Sequence, residues 1–289
     1  IRLSLVGSEM CIRDRRKIVS THLERSSKKL DLQLKQLKDT EKRDKFKVYG
    51  ELLNTYGYQV TEGAKSVEVP NYYTGEMLTI PLDETLSPLD NAKKYFARYN
   101  KLKRTFEALN TQTEETRTEI AHLQTIQAAL AIAESEDDLA QIRDELETYG
   151  YIRRKMNGKK KQKSKSKPFH YRSSDGFDIY VGKNNFQNDE LTFKVANGND
   201  WWFHAKGMPG SHVIVKTEGR ELPDRTFEEA GRLAGYYSSG RDNEKIEIDY
   251  LQRKNVKKPN SAVAGYVIYY TNYSLTIHPD ISGIEKISE

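Results

Sequence analysis

Asp200, His204, Lys206 and His212 fall within one short stretch, DWWFHAKGMPGSH, and are the residues of this chain best suited to chemistry. An imidazole there could act as a base or bind a metal, and the lysine could hold an anion. Covalent hydrolysis needs an activated nucleophile, and no serine or cysteine stands in a nucleophile elbow. No His-Glu-x-x-His spacing occurs either. The two histidines flank a turn and could approach one another, but two without a third ligand make a poor zinc site. The pattern points to no catalytic residue, no metal and no cofactor.

Anion recognition suits these residues better. Gly207 and Gly210 leave a turn without side chains, so backbone N–H groups can approach a phosphate. Lys206 and His204 add donors beside it. Two other turns are rich in similar groups: GKNNFQND supplies Lys183, Asn184 and Asn185, and RKNVKKP supplies Lys254, Lys257 and Lys258. Trp201 and Trp202 point to opposite faces of a strand, so one belongs to a core and at most one can stack on a ligand.

Charge supports a polyanionic partner. The chain has 289 residues and a net charge of +5, yet RRKMNGKKKQKSKSK, from Arg153 to Lys167, holds nine Lys or Arg and no acid. Everything outside that run is net acidic. The run reads as a linker without a fold of its own, and it makes RNA the first choice of ligand. The 18 tyrosines against 9 phenylalanines suit wet interfaces. No apolar stretch approaches the length that spans a bilayer. Ser4 to Arg15, SLVGSEMCIRDR, resembles a translated sequencing-adapter peptide, so residues 1–15 are expected to be foreign. The one cysteine, Cys11, lies inside that stretch, and the rest of the chain has no thiol for a disulfide or a metal, which leans towards the cytoplasm.

The elements that must position these residues follow from periodicity. Helical spacing runs over Lys17–Asn54 and again over Leu89–Ala133. In the second run Tyr99, Leu102, Phe106, Leu109, Thr113, Thr116, Ile120 and Leu123 form a heptad seam with a polar break. Two such helices predict an antiparallel coiled coil. Between them, strand alternation around NYYTGE predicts a β-ribbon that carries Tyr72 and Tyr73 at the hairpin tip. A short helix is expected over Asp137–Tyr149. Beyond the linker come short strands: a hairpin about Asp175-Gly176, then WWFHA, HVIVK, KIEIDYL, GYVIYY and SLTIHP. A helix capped by Asn188 and another from a Thr226/Glu229 capping box interrupt them. The expected fold is α+β: a long antiparallel coiled-coil hairpin with a β-ribbon insert, followed by a mostly antiparallel-sheet α+β domain.

The stretch SSDGFDIYVGKNNFQNDELTFKVANGNDWWFHAKGMPGSHVIVK, with IDYLQRKNVKKPN after it, closely resembles the RNA-binding C-terminal domain of the NFACT family. These are the RqcH-type ribosome quality control proteins, earlier described as fibronectin-binding. YGELLNTYGY, NYYTGEM and LSPLDNAKKYFARYNKLKR resemble that family's middle coiled-coil region. The resemblance implies a division into residues 16–152 (hairpin, tip insert at about 55–88), 153–167 (basic linker) and 168–289 (RNA-binding domain). It also implies a C-terminal fragment of a larger factor, with no active-site chemistry in the part present here. Its partners would be the large ribosomal subunit, through rRNA and stalk-base protein, and tRNA, in support of C-terminal alanine tailing. No membrane or small-molecule substrate is implied. Tyr72 and Tyr73 would contact the ribosome. Ser261 to Gly265 depart from the family's Gly-rich, Lys-Pro pattern, so phosphate contacts are expected to stop at Asn260. A cell-surface adhesin that binds fibronectin is the rival reading.

Overall fold

The computed structural model describes residues 2–153 and 166–287. Its helices α1 (Arg2–Asp39) and α3 (Pro88–Ile132) form the antiparallel hairpin, and α2 (Arg43–Tyr56) continues the first arm. That arm was expected as one helix from Lys17 to Asn54, but it breaks at Thr40–Lys42. Thr40 is buried and its hydroxyl donates to the Leu37 carbonyl at 2.6 Å, a local bond that competes with the helical ladder. Helix α3 starts cleanly because Ser87 Oγ accepts from the Asp90 N–H at 3.1 Å and Pro88 occupies the first position, where no N–H is needed.

The chain divides into two compact units, one of residues Ser26–Thr118 and one of Ile1–Arg25 with Glu119–Glu289. In the first, strands β1 (Ser66–Pro70) and β2 (Met77–Pro81) pair antiparallel, with Val67 opposite Ile80 and Val69 opposite Leu78. The buried Val69 and Ile80 pack on Phe46, Leu52 and Leu53 of α2 and Ala92 of α3. Further along the arms the seam turns polar. Ser26, Gln33 and Thr40, spaced by sevens, are buried, as are Thr113 and Thr116 of α3.

In the second unit a helical base packs Val19, Leu123, Ile126 and Leu130 against Leu139, Ile142 and Leu146 of α4 (Glu136–Thr148). Ser135 and Asp138 close a capping box on α4, and Gly150 turns the chain with φ +77°. Seven strands follow: β3 (Phe169–Arg172), β4 (Asp178–Val181), β5 (Trp201–Ala205), β6 (Val213–Val215), β7 (Ile246–Gln252), β8 (Tyr273–Ile277) and β9 (Glu285–Lys286). They form one sheet in the order β8-β7-β5-β6-β4-β3-β9, and every pairing is antiparallel. Helix α6 (Asp224–Tyr236) covers one face over a core that includes Phe203, Val213, Val215 and Ile248. The other face buries Trp202, Ile214 and Leu251 with Leu191 and Val256.

Three local expectations change. The helix expected over Asn188–Ala196 starts earlier, as α5 (Asn185–Glu190) capped by Asn184, and continues as a π-helical turn over Leu191–Val195, while Asn188 is buried with its Oδ1 accepting from the His212 N–H. The Thr226/Glu229 box does not form. Thr226 Oγ1 donates to Asp175 and also bonds the Ser173 hydroxyl, while Glu229 accepts from the Ser174 backbone and hydroxyl, so both side chains fasten the β3–β4 turn to α6. Gly265–Tyr270, expected as a strand, joins no sheet. Gly265 turns the chain with φ +79°, and the segment makes a single bridge, Lys257 with Ile268.

Candidate nucleic-acid interface

Alternation along β5 sends Trp202 into a core, 1% exposed, and Trp201 to the opposite face, half-buried against Phe227 of α6. His204 shares the Trp202 face and meets His212 edge-on, ring centroids 5.6 Å apart. Burial pushes both imidazoles below their ordinary range, His212 well below, with the neighbouring His204 adding to its shift. His212 Nδ1 lies 2.8 Å from Thr192 Oγ1. Uncharged rings wedged beside Trp202 are poor phosphate donors, and among the described residues no group of three metal-ligating side chains occurs. Lys206 is exposed but its ammonium bonds Glu247 at 2.6 Å, which raises its pKa. Gly207 does provide a left-handed turn, φ +66°. Gly210 serves packing: a Cβ there would sit 3.0 Å from the Ser238 Cβ, where the turn bridges to the end of α6. The stretch joins β5, β6 and the end of α6, with Lys206 and Gly207 left exposed at its turn.

The Gly182–Asp189 turn faces inward. Lys183 is largely buried, paired with Asp138 at 3.3 Å and lying over the Phe169 ring. Asn184 accepts from Gln187 N–H as the α5 cap and donates to Gln141 Oε1 at 2.6 Å. Asn185 donates to Glu145 Oε1 at 2.7 Å and Thr125 Oγ1 at 2.8 Å. Glu145 also meets His122 Nε2 at 3.0 Å. These amides hold α3 and α4 to the sheet. They were expected as RNA donors because residue type shows a donor but not which way it points.

The Arg253–Pro259 turn is different. Lys254 and Lys257 are exposed, Lys258 pairs with Asp189, and Arg253 turns in to the Thr192 carbonyl at 2.7 Å. Lys257 and Ile268 exchange backbone bonds of 2.9 and 2.8 Å, which brings the chain carrying Tyr266 and Tyr270 alongside the lysines. Those tyrosines are 47% and 81% exposed, and Tyr273 is 63% exposed at the start of edge strand β8. The expectation that phosphate contacts stop at Asn260 did not consider these three rings. A signal was present: from Leu251 to Ile277 the chain holds four cations and four tyrosines without one acid. Interleaved cations and exposed rings are what a flexible polyanion with stacking bases requires.

Tyr72 and Tyr73 stand exposed on the β1–β2 turn, rings 4.6 Å apart, with Tyr73 Oη donating to Glu51 of α2 at 2.7 Å. The basic run lies almost wholly outside the described residues. Among the described residues no helix is long and apolar enough to cross a membrane.

Known proteins share this organisation. The profile of the NFACT N-terminal and middle domains matches residues 12–165, and that of the NFACT protein RNA binding domain matches residues 167–269. The chain is 40% identical over 272 residues to the Rqc2 homolog RqcH of Streptococcus suis, covering 94% of this chain and 49% of that protein. It is 35% identical over 280 residues to the protein of the same name from Bacillus subtilis, covering 96% of this chain and again 49% of the relative. The chain thus spans about half the length of the curated relatives it matches. The solved C-terminal part of the fibronectin/fibrinogen-binding protein of Streptococcus suis superposes with a TM-score of 0.75 at 33% identity, covering 96% of this chain and 97% of that one. With family matches over residues 12–165 and 167–269 and curated relatives at 35–40% identity, this chain belongs to the NFACT family.

Proposed function

We propose that this chain is the RNA-binding part of a ribosome quality control factor, acting in the cytoplasm. It would grip obstructed large subunits that carry peptidyl-tRNA and support tRNA recruitment for C-terminal alanine tailing. The observation that carries the reading is the exposure of Lys254, Lys257, Tyr266 and Tyr270, all from one stretch of chain that holds no acid and lies in or next to the segment matched to the RNA-binding domain. The chain's own contribution in this reading is binding: of the two histidines best placed for chemistry, His212 is buried, and His204 is half-buried against the Trp202 ring. Tyr72 and Tyr73 are proposed to dock on ribosomal RNA or stalk-base protein.

Salt dependence tests the surface directly. Each phosphate contact to a single strand contributes about −0.7 to the slope of log affinity against log salt. Replacing Lys254 and Lys257 by alanine should flatten that slope by roughly 1.4 in total. An unchanged slope would remove these lysines from the interface. One alternative is kept by the name of the structurally similar Streptococcus suis protein, which refers to fibronectin and fibrinogen. Saturable binding to immobilised fibronectin, with no RNA binding at moderate salt, would favour it.

A further inference from the structure

On the α6 face of the sheet, one end is only partly covered, with Phe227 of α6 packing on Trp201 and Tyr250 but Tyr273 left exposed. There Trp201 of β5, Tyr250 of β7 and Tyr273 of β8 lie side by side on adjoining strands. Tyr250 and Tyr273 are directly opposed and stacked, centroids 5.5 Å apart and planes 29° from parallel. Trp201 lies 5.8 Å from Tyr250 and 6.3 Å from Tyr273. Phe203 continues the ladder inward, stacked on Tyr250 at 5.5 Å, and it is fully buried. The ladder therefore begins in the core and ends in solvent at the sheet edge. A ladder built only for stability has no need of its outermost rung: Tyr273 is 63% exposed.

Beside these rings is a cleft of about 450 Å³ between Trp201 and Tyr273, floored in part by Leu251. Its remaining walls are Gln252, Asn255, Thr271 and Asn272: three carboxamides and a hydroxyl, with no carboxylate. Asn272 is held by its Nδ2, 2.8 Å from the buried Asp249, which leaves its carbonyl oxygen as an acceptor. Asn255 belongs to the same short turn as the exposed Lys254, whose backbone N–H bonds the Gly198 carbonyl three residues before Trp201. An exposed cation is thus one residue along the chain from the wall of the cleft. Aromatic faces for stacking, amides that both donate and accept, and a cation one residue away together match a nucleotide: a flat base, its polar edge and its phosphate.

We propose that this cleft binds an unpaired nucleobase of single-stranded RNA, stacked on the Trp201–Tyr250–Tyr273 surface with its edge against the carboxamides. The proposal rests on the RNA-binding reading and adds to it a preference for unpaired over paired RNA. Duplex RNA buries its base faces, so it can meet the lysines but not this cleft. A proline-rich peptide also favours aromatic grooves, but it gains little from three amides and a cation.

Tryptophan fluorescence of the full chain provides the test. Trp202 is buried, so quenching by a stacked base reports on Trp201. Single-stranded RNA should quench the parent, and Trp201→Phe, which keeps a ring against Phe227, should abolish the quenching. Tyr273→Ala, at an exposed position, should weaken single-strand binding roughly five- to a hundredfold, the range of one base–aromatic stack. Duplex affinity should be unchanged in both variants. If Lys254→Ala and Lys257→Ala weaken binding while Tyr273→Ala and Trp201→Ala leave single-strand affinity intact, the stacking site is overturned and the RNA reading stands. If neither single-stranded nor duplex RNA binds the parent, both fall. Quenching by poly-L-proline in place of RNA would overturn the nucleobase in favour of a peptide.

Discussion

Asn185 shows how far a donor's role depends on what folds over it. Its amide joins Glu145 to Thr125 in a buried cluster, and Glu145 already has one oxygen, Oε2, without a protein partner. Asn185→Ala would leave Oε1 with His122 alone, and removing one partner of a buried polar group costs about 1–3 kcal/mol. Thermal melts should show that loss, whereas RNA affinity per folded molecule should stay at the parent value. Lys206→Ala should do neither, because its partner Glu247 is half-exposed and returns to water. A clear drop in RNA affinity for Lys206→Ala would restore the turn as a phosphate site. The histidines give a pH signature. His204 and His212 titrate below the usual 6.5 because burial opposes their charge. The unfolded chain takes up their protons first, so stability is full above about pH 6.5 and falls as the pH drops below it. Melting temperature should decline from about pH 7 to about pH 5, and His212→Asn should flatten that decline while lowering stability at neutral pH. A parent profile flat over this range would mean that the histidines are not held neutral.

Among the elements, legibility followed periodicity and failed where side chains are recruited from a distance. The heptad seam of α3 and the alternation of β1, β2 and β5 are local patterns, and the structure places them within a residue or two of expectation. The Thr226/Glu229 spacing satisfies the capping rule as a string. In the fold, both residues are drawn off by Ser173, Ser174 and Asp175, more than fifty positions earlier. Strand β9 was not expected, since two paired residues carry no period. The polar seam leads to a stability prediction at this scale. Gln33 Oε1 and Thr113 Oγ1 are buried without a protein partner, and polar groups at such seam positions set register at the expense of stability. Gln33→Leu should raise the melting temperature, by an amount that corresponds to about 1 kcal/mol or more. An unchanged or lower melting temperature would show that Gln33 is satisfied in solution by water.

For the whole molecule, the matched domains and the compact units do not divide at the same place. The middle-domain profile ends at residue 165 and the RNA-binding profile begins at 167. One compact unit, however, takes in Glu119–Glu289 and so includes both sides of that boundary. Its polar joint explains why. Lys183 meets Asp138, Asn184 meets Gln141, Asn185 meets Glu145, and the Tyr149 hydroxyl accepts from the Ala264 N–H at 2.7 Å. Ile132 packs on the sheet core, and Lys286 of β9 bonds Glu134 at 3.1 Å. A fragment beginning at residue 167 would expose Asn184, Asn185 and Gln187, all buried here, and would lose each of those bonds. The net charge of the chain, concentrated in the run at 153–167, marks a boundary in the sequence, whereas the described residues on both sides of it belong to one compact unit. Cutting the chain within 153–165 with an inserted protease site should therefore leave residues 119–153 bound to the sheet through gel filtration. Removing them should lower the sheet domain's melting temperature by several degrees, as loss of a few buried polar partners at roughly 1 kcal/mol each requires. Two pieces that separate on cleavage, with the sheet domain melting as it does in the intact chain, would show the joint to be incidental and the sequence boundary to be the physical one.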